Sequence, residues 1–230
     1  MIEIRSEKIF EIYGFPITNT LLTSWLTFVL LSLIIFILKK SLKNRPFKLQ
    51  ALAEILLENT YNFLHSIFGE NFNLKIFSFI LTFFLFILFS NWLGILPIVG
   101  SIYIQEGEQK VPIFRSTYSD LNMTLALALI SVIGTNLLGI LNFGIKFIKR
   151  YTNPIGILEL FGEFAKILSF SFRLFGNIFA GEVLLTIIAG LFVLFAPIPF
   201  LGLELFVGLI QALIFAVLTT IFLKVAISEH

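Results

Sequence analysis

The sequence predicts an all-α, polytopic membrane protein with about five membrane-spanning helices, one interfacial amphipathic helix and a long, strongly tilted C-terminal helical hairpin. Hydrophobic residues make up 58% of the 230 residues and charged residues only 13%, which is the composition of a chain whose main solvent is lipid. Several apolar runs reach the roughly 17–25 residues that a helix needs to cross the hydrocarbon core. Basic clusters follow the first and third runs, which is typical of repeated membrane crossing.

The composition also argues against several classes of function. A net charge of +2 is too small and too scattered for a nucleic-acid partner. The chain has no cysteine and two histidines, so it lacks the residues for a disulfide framework or a zinc site. The sequence has no glycine-rich phosphate loop, so no bound nucleotide is expected. We also expect no cofactor, no metal and no catalytic site in this chain.

The N-terminal part is predicted to cross the membrane once. Residues 1–20 mix acidic and basic side chains, which does not fit a secretory signal and favours a mature, external N-terminus. Residues 21–38 form the first apolar run, and basic residues follow it at once. Since short cytoplasmic loops are enriched in basic residues, this loop predicts an N-terminus outside. The basic residues are Lys39, Lys40, Lys43, Arg45 and Lys48.

The middle of the chain is predicted to add an interfacial helix and two more spans. Residues 49–68 separate apolar from polar side chains, which suits a helix lying at the membrane interface. Residues 76–96 are predicted to be the second span. Residues 97–119 carry nearly balanced charge and are therefore expected to form an external loop. The third span is predicted at residues 120–143, and the basic residues Lys146, Lys149 and Arg150 follow it.

Polar residues in the third span allow two interpretations. Ser119 or Asp120 is suited to be the N-cap, accepting hydrogen bonds from the first backbone N–H groups. Alternatively, Asp120 and Asn122 line a polar entrance for an ion. The pattern favours the cap, and both roles are compatible. Asn136 and Asn142 are expected to donate hydrogen bonds between helices.

The C-terminal part is predicted to be a helical hairpin, so that residues 1–230 form a single membrane domain. Residues 154–194 are predicted to form a helix, because the pair Asn153-Pro154 at its start is a helix-start signal. About 40 residues at 1.5 Å each reach about 60 Å, twice the hydrocarbon thickness, so this helix must tilt, curve or lie partly along the interface. Ala196-Pro197-Ile198-Pro199 predicts a turn before a last helix at residues 200–227, which makes the C-terminus cytoplasmic.

One stretch inside the long helix carries costly polar residues. Arg173 and Glu182 lie in an apolar run, where a charge costs about 2.5–3.5 kcal/mol, and an ionisable residue at this depth is a functional-site hypothesis. Glu182 lies nine residues after Arg173, about 180° round the helix, so the two do not form a local ion pair. Spacings of three, four and seven residues place other polar or small residues on the face of Arg173, and Glu159 lies two heptads before it. The residues at these spacings are Lys166, Ser169, Gly176, Asn177 and Ala180.

The last helix offers partners for this stretch. In an antiparallel hairpin, one register places Arg173 opposite Gln211 and Glu182 opposite Glu204. Two facing carboxylates in a low-dielectric environment resist being ionised together. The Glu182–Glu204 pair is therefore expected to hold a proton.

Several motifs together resemble subunit a of F-type ATP synthases, and the resemblance covers essentially the whole chain. The most specific motifs are the arginine block and the glutamine block. The motifs are Arg173-Leu174-Phe175-Gly176-Asn177 with Ala180-Gly181-Glu182, Leu209-Ile210-Gln211-Ala212-Leu213-Ile214-Phe215, Ser119-Asp120-Leu121-Asn122-Met123-Thr124, Asn91-Trp92-Leu93-Gly94-Ile95-Leu96-Pro97 and Ser228-Glu229-His230.

The resemblance implies a proton-translocating stator of the membrane sector of a rotary ATP synthase. Its partners would be a ring of c proteolipid subunits, b-type peripheral stalk subunits and membrane lipid. Two offset aqueous half-channels would face the ring. Arg173 would attract each ring carboxylate and block a leak between the half-channels, supported by Asn177 and Gln211.

The resemblance also assigns residues to the half-channels. Four residues would belong to the outer half-channel: Glu182 and Glu204, with Asp120 and Asn122 nearer its mouth. Three would line the cytoplasmic half-channel: Glu159, Lys166 and Ser169. Some family members carry histidine at the position of Glu204.

Alternatives to this function stay open at the level of sequence. One is a self-contained ion channel or secondary transporter of another class, and another is a membrane scaffold whose polar residues join helices. H⁺ and Na⁺ both fit as the coupling ion, since the family's ion-binding carboxylate lies on the ring. A bacterial plasma membrane is the first expectation for location, and an organellar energy-transducing membrane is the second.

Overall fold

The fold consists of long helices with two small hairpins. The computed structural model describes residues 6–40, 42, 48–96, 99, 101–106, 109–144, 154–191 and 197–228. Within these ranges there are six α-helices, and five of them are long and apolar enough to cross a membrane. The predicted all-α polytopic class is therefore confirmed. The helices are α1 (Asn19–Lys40), α2 (Lys48–Phe68), α3 (Leu74–Ile95), α4 (Leu121–Phe143), α5 (Pro154–Leu191) and α6 (Pro197–Ser228).

The bounds of the first three spans differ from the predicted ones by at most two residues. The last helix differs more, because α6 begins at Pro197 and not at residue 200. Pro197 and Pro199 thus lie in its first turn, where the missing N–H of proline has no helical partner to lose. Some residues named above lie outside the described residues: Lys43, Arg45, Pro97, Lys146, Lys149, Arg150, Asn153, Ala196, Glu229, His230 and the side chain of Asn142.

Two β-hairpins occupy segments for which we predicted no strand. In the first, β1 (Lys8–Ile12) pairs antiparallel with β2 (Phe15–Thr18) directly before α1. Its two turn residues both have positive φ, 50° at Tyr13 and 85° at Gly14, as a type I′ hairpin turn requires. In the second, β3 (Tyr103–Glu106) pairs with β4 (Gln109–Pro112) inside the predicted external loop. Strands of four or five residues give little periodic signal.

The main bundle is formed by α3, α4, α5 and α6. Its centre is aromatic: the ring of Phe215 on α6 stacks on Phe170 of α5 and on Phe83 of α3, with centroids 4.4 Å and 5.5 Å apart. Offset ring contacts of this kind stabilise a core beyond simple burial. The Cβ of an alanine in place of Gly134 on α4 would lie 2.5 Å from the Phe79 ring on α3, so glycine allows these two helices to approach closely.

Hydroxyl pairs set how the helices face one another. Thr124 on α4 lies 2.9 Å from Ser171 on α5, and Ser131 on α4 lies 3.1 Å from Thr219 on α6, measured between their oxygen atoms. Hydroxyl pairs are common between membrane helices because they satisfy each other in an apolar environment. The Thr124–Ser171 pair places the start of α4 beside the middle of α5, and the Ser131–Thr219 pair places the middle of α4 beside α6.

The helix α2 lies at the edge of this bundle. It buries Leu64 and Phe68 next to Ile76 and Leu223. Much of its remaining surface is exposed, including apolar side chains such as that of Leu52. This arrangement suits an amphipathic helix, and its location at a membrane interface stays a prediction.

Candidate functional site

Helix α5 presents a buried side to the bundle and an open side away from it. Phe170, Leu174 and Ile178 are buried against the core, whereas Ser169 and Ala180 are exposed. Small residues continue along the open side, and a Cβ added to Gly176 would meet no atom within 4 Å. The open side therefore leaves room for the close approach of another helix.

Arg173 lies at the border between these two sides. Its side chain is half-buried, and its Nη1 atom is buried without a hydrogen-bond partner among the described residues. In the part of the chain that the structure describes, no carboxylate forms an ion pair with it. Since arginine keeps its charge in proteins and an unpaired buried charge is costly, this guanidinium requires a partner.

The register of the α5–α6 hairpin lies close to the predicted one. The Cβ of an alanine in place of Gly181 would lie 2.5 Å from Oε1 of Glu204, one residue from the predicted contact between Glu182 and Glu204. This register is consistent with Gln211 opposite Arg173. Gln211 is buried, and its Nε2 has no hydrogen-bond partner among the described residues.

A small pocket lies between α5 and α6 on the C-terminal side of Arg173 along α5. Its volume is about 180 Å³, and Asn177, Gly181 and Glu204 line it together with apolar side chains. The Oε2 atom of Glu204 is buried and has no partner among the residues described. Because buried polar atoms are normally hydrogen-bonded, often to water, this pocket is suited to hold water next to a carboxylate.

Glu182 has a partner that we did not predict. Its Oε2 accepts a hydrogen bond from Nη2 of Arg115 at 3.3 Å, and the two side chains are 25% and 14% exposed. The carboxyl group of Glu204 lies near enough to that of Glu182 for the two to interact electrostatically. Arg115 lies in the segment before α4, whose nearly balanced charge predicts an external loop, and no sequence pattern indicates this contact.

Asp120 is the N-cap of α4. Its Oδ1 accepts a hydrogen bond from the backbone N–H of Asn122 at 2.9 Å, and its Oδ2 accepts one from Oγ1 of Thr20 at 3.3 Å. The cap interpretation is therefore confirmed. Asp120 is buried and the side chain of Asn122 is exposed, and their role in an ion entrance stays a prediction.

Buried polar groups continue from this cap into the 3-10 helix Thr117–Ser119. Tyr118 is buried, and this burial raises the pKa of its hydroxyl above the ordinary value. The side-chain oxygen of Thr117 is also buried, without a hydrogen-bond partner among the described residues. We refer to Arg115, Asp120, Glu182 and Glu204 as the Glu182 end of the site.

The opposite end of α5 carries a second charged cluster, centred on Glu163. Its Oε1 accepts a hydrogen bond from Nζ of Lys166 at 2.6 Å, and its Oε2 accepts one from Nδ2 of Asn136 on α4 at 3.2 Å. The predicted interhelical role of Asn136 is thus confirmed. Glu163 was not among the predicted site residues, although its spacing to Lys166 is a recognisable ion-pair signal.

The other residues predicted at this end are placed around that cluster. The Lys166 ammonium lies 4.7 Å from the centroid of the Phe222 ring on α6. Glu159 is half-buried and Ser169 is exposed. We refer to Glu159, Glu163 and Lys166 as the Lys166 end.

The two clusters flank Arg173 along the helix. Glu163 lies ten residues before Arg173 and Glu182 nine residues after it, which corresponds to about 15 Å and about 13 Å along the axis. The arrangement is a half-buried cation between two separate carboxylate clusters. Among the described residues, no group of three or more histidine, aspartate or glutamate side chains is placed to hold a metal ion.

These features define a polytopic helical membrane protein with a charged site inside its spanning region. The family model described as "ATP synthase A chain" matches residues 21–224, and the chain belongs to this family. Two chloroplast proteins named ATP synthase subunit a are similar to it. The one from Stigeoclonium helveticum is 37% identical over 238 aligned residues, covering 100% of this chain and 93% of the relative. The one from Oedogonium cardiacum is 37% identical over 217, covering 92% and 83%.

Proposed function

We propose that this chain is the proton-translocating stator subunit of the membrane sector of an ATP synthase. In this role it forms two offset half-channels against a ring of c subunits, and Arg173 separates them. The observation that carries the proposal is the guanidinium of Arg173, which is half-buried in a spanning helix without a carboxylate partner among the described residues. The family to which the chain belongs supports the same role.

Arg173 would find its partner outside this chain. It borders the open side of α5, where Gly176 and Ala180 leave space for another helix. A carboxylate on a ring helix passing this side would complete the charge pair, because opposite charges attract strongly at low dielectric. Each ring carboxylate would give up its proton before meeting Arg173 and take up another after leaving it. Gln211, buried with a free Nε2 among the described contacts, would help to orient these groups.

The Glu182 end would form the outer half-channel. Asn177 and Glu204 border the same pocket, and Glu182 lies beside it, paired with Arg115. Water in that pocket would connect the carboxylates to the ring side of Arg173. Asp120 and Asn122 would stand nearer the mouth.

The Lys166 end would form the cytoplasmic half-channel, lined by Glu159, Lys166 and Ser169. It lies on the far side of Arg173 along α5, so a proton entering at one end reaches the other only by travelling on the rotating ring. The basic residues Lys39 and Lys40 close α1, and they support an orientation with the N-terminus outside and the C-terminus on the cytoplasmic or equivalent side.

The partners would be c-ring proteolipid subunits, b-type stalk subunits and lipid, with no nucleotide bound by this chain. Both similar proteins are chloroplastic. This favours an organellar energy-transducing membrane over the bacterial plasma membrane that we first expected. The catalytic sites for ATP would lie on other subunits.

The substitution Arg173→Ala tests the proposal. We expect it to abolish ATP-driven proton pumping in membranes that contain the whole complex, while co-purification of the other subunits shows that assembly persists. The matched control is Lys75→Ala, which removes an exposed cation from α3 and should leave pumping unchanged. Normal pumping by assembled Arg173→Ala complexes would overturn the assignment.

A further inference from the structure

We propose that Glu163 is the proton-carrying carboxylate of the Lys166 end. This inference rests on the proposed function and adds to it a residue that the family motifs quoted above do not contain. The residue stands on α5 between the predicted residues Glu159 and Lys166, one helical turn nearer to Arg173 than Glu159.

The contacts of Glu163 involve two helices. Lys166 Nζ on its own helix holds Oε1 at 2.6 Å, and Asn136 Nδ2 on α4 holds Oε2 at 3.2 Å. The Glu163 side chain is only 16% exposed. A lysine–glutamate pair on a solvated helix face needs no third partner, whereas here a separate helix supplies a donor to the second oxygen. The carboxylate is therefore positioned from two directions inside the bundle.

The surroundings of Lys166 allow the charge on Glu163 to change. The ammonium lies 4.7 Å from the centre of the Phe222 ring, a distance at which a cation is attracted to an aromatic face. When Glu163 takes up a proton and its attraction for Lys166 weakens, this ring keeps the cation in place. Asn136 can donate a hydrogen bond to Glu163 whether Glu163 is ionised or protonated, because the protonated carboxyl group still has one oxygen that accepts.

The proton step itself is simple. A proton carried by water forms an O–H bond with a carboxylate oxygen of Glu163, and that bond breaks when the proton leaves to a second water on the Arg173 side. No group is oxidised or reduced, and the direction depends on the proton gradient. Glu163 lies about 15 Å along the axis from Arg173, so water and Ser169 must complete the path.

Two substitutions at Glu163 distinguish a role in carrying the proton from a purely structural role. Glu163→Gln keeps the length of the side chain and one acceptor oxygen, replaces the second oxygen by an NH2 group, and loses the proton site. Glu163→Asp keeps the proton site and shortens the reach. We expect Glu163→Gln to lower ATP-driven pumping by about 10²-fold, the low end of the effect of a positioned acid–base group, and Glu163→Asp to pump faster than Glu163→Gln.

Rates are measured in membranes with the whole complex and divided by the amount of assembled complex. Glu58→Gln, on the exposed side of α2, is the matched control and should pump normally. The inference is overturned if Glu163→Gln pumps normally, if Glu163→Asp pumps worse than Glu163→Gln, or if Glu163→Gln complexes do not assemble. Arg173→Ala in the same assay separates the two proposals. An inactive Arg173→Ala with a normal Glu163→Gln removes this inference alone, whereas a normal Arg173→Ala removes the proposed function.

Discussion

The two charged ends of α5 are built in different ways. At the Lys166 end, Glu163 takes its cation from three residues further along the same helix. At the Glu182 end, the cation Arg115 lies 67 residues away in sequence, in the segment before α4. The first pair depends on helical spacing and the second on the tertiary position of a connecting segment. Two similar ion pairs in one site thus depend on different parts of the fold.

The connecting segment at the Glu182 end is itself tied to other elements. The backbone N–H of Arg115 donates to Oγ1 of Thr23 on α1 at 3.2 Å, and Thr20 on the same helix donates to Asp120. These contacts place Arg115 relative to α5 through α1 and α4. Changes in the first span therefore reach the Glu182 end, whereas the Lys166 end depends on α4, α5 and α6.

Among the variants that compare the cations of the two ends, the largest effect is expected from removing Arg115. Arg115→Gln leaves Glu182 without its cation in a partly buried position, and part of the loss is compensated because a quarter of the Glu182 side chain is exposed. We expect pumping to fall by roughly tenfold, equivalent to about 1.4 kcal/mol. Lys166→Gln should slow pumping less, because Glu163 keeps its hydrogen bond from Asn136.

Both variants are measured as ATP-driven pumping per assembled complex. Lys75→Gln is the matched control for loss of an exposed cation and should be neutral. If Lys166→Gln slows pumping as much as Arg115→Gln, the contrast between a local and a tertiary pair is wrong.

A smaller effect is expected from Gly181→Ala, which tests whether the position of Glu204 at the Glu182 end matters. The new Cβ would lie 2.5 Å from Oε1 and 3.1 Å from Cδ of Glu204, so the carboxylate must move away from α5. This displacement of the carboxylate is expected to slow pumping. The fall should be only several-fold, because the end of a glutamate side chain is flexible and can move at little cost. Gly202→Ala on α6, where a Cβ meets no atom within 4 Å, is the control. Equal rates for the two variants would show that the position of Glu204 against α5 is unimportant.

Much of the fold follows from the sequence because lipid imposes a simple rule. A spanning helix must be apolar over its length, since backbone polar groups have to be satisfied within the segment. The first three spans are therefore predicted to within two residues. The start of α6 is predicted less well, because Pro197 and Pro199 are equally typical of a turn and of the first turn of a helix. The two hairpins are too short for periodicity to indicate them.

The site residues also fall into those that the sequence predicts and those that depend on tertiary packing. Arg173, Asn177 and Glu182 stand out because polar residues in an apolar run are conspicuous, and helical spacing orders them around α5. Arg115 is not conspicuous, since it lies among other charges in a connecting segment. Its contact with Glu182 depends on how that segment folds back over the bundle. Glu163 was detectable from its spacing to Lys166, but its contact with Asn136 depends on the packing of α4 against α5.

Crosslinking can show whether the open side of α5 faces a ring of c subunits, as we propose. The chain has no cysteine, so Ala180→Cys introduces a single site on that side for a photoreactive maleimide label. Ile130→Cys, on an exposed position of α4, is the matched control. In the whole complex we predict that the label at residue 180 crosslinks to a small proteolipid and that the label at residue 130 does not. A label at residue 180 that reaches only lipid in assembled, pumping complexes would contradict the account.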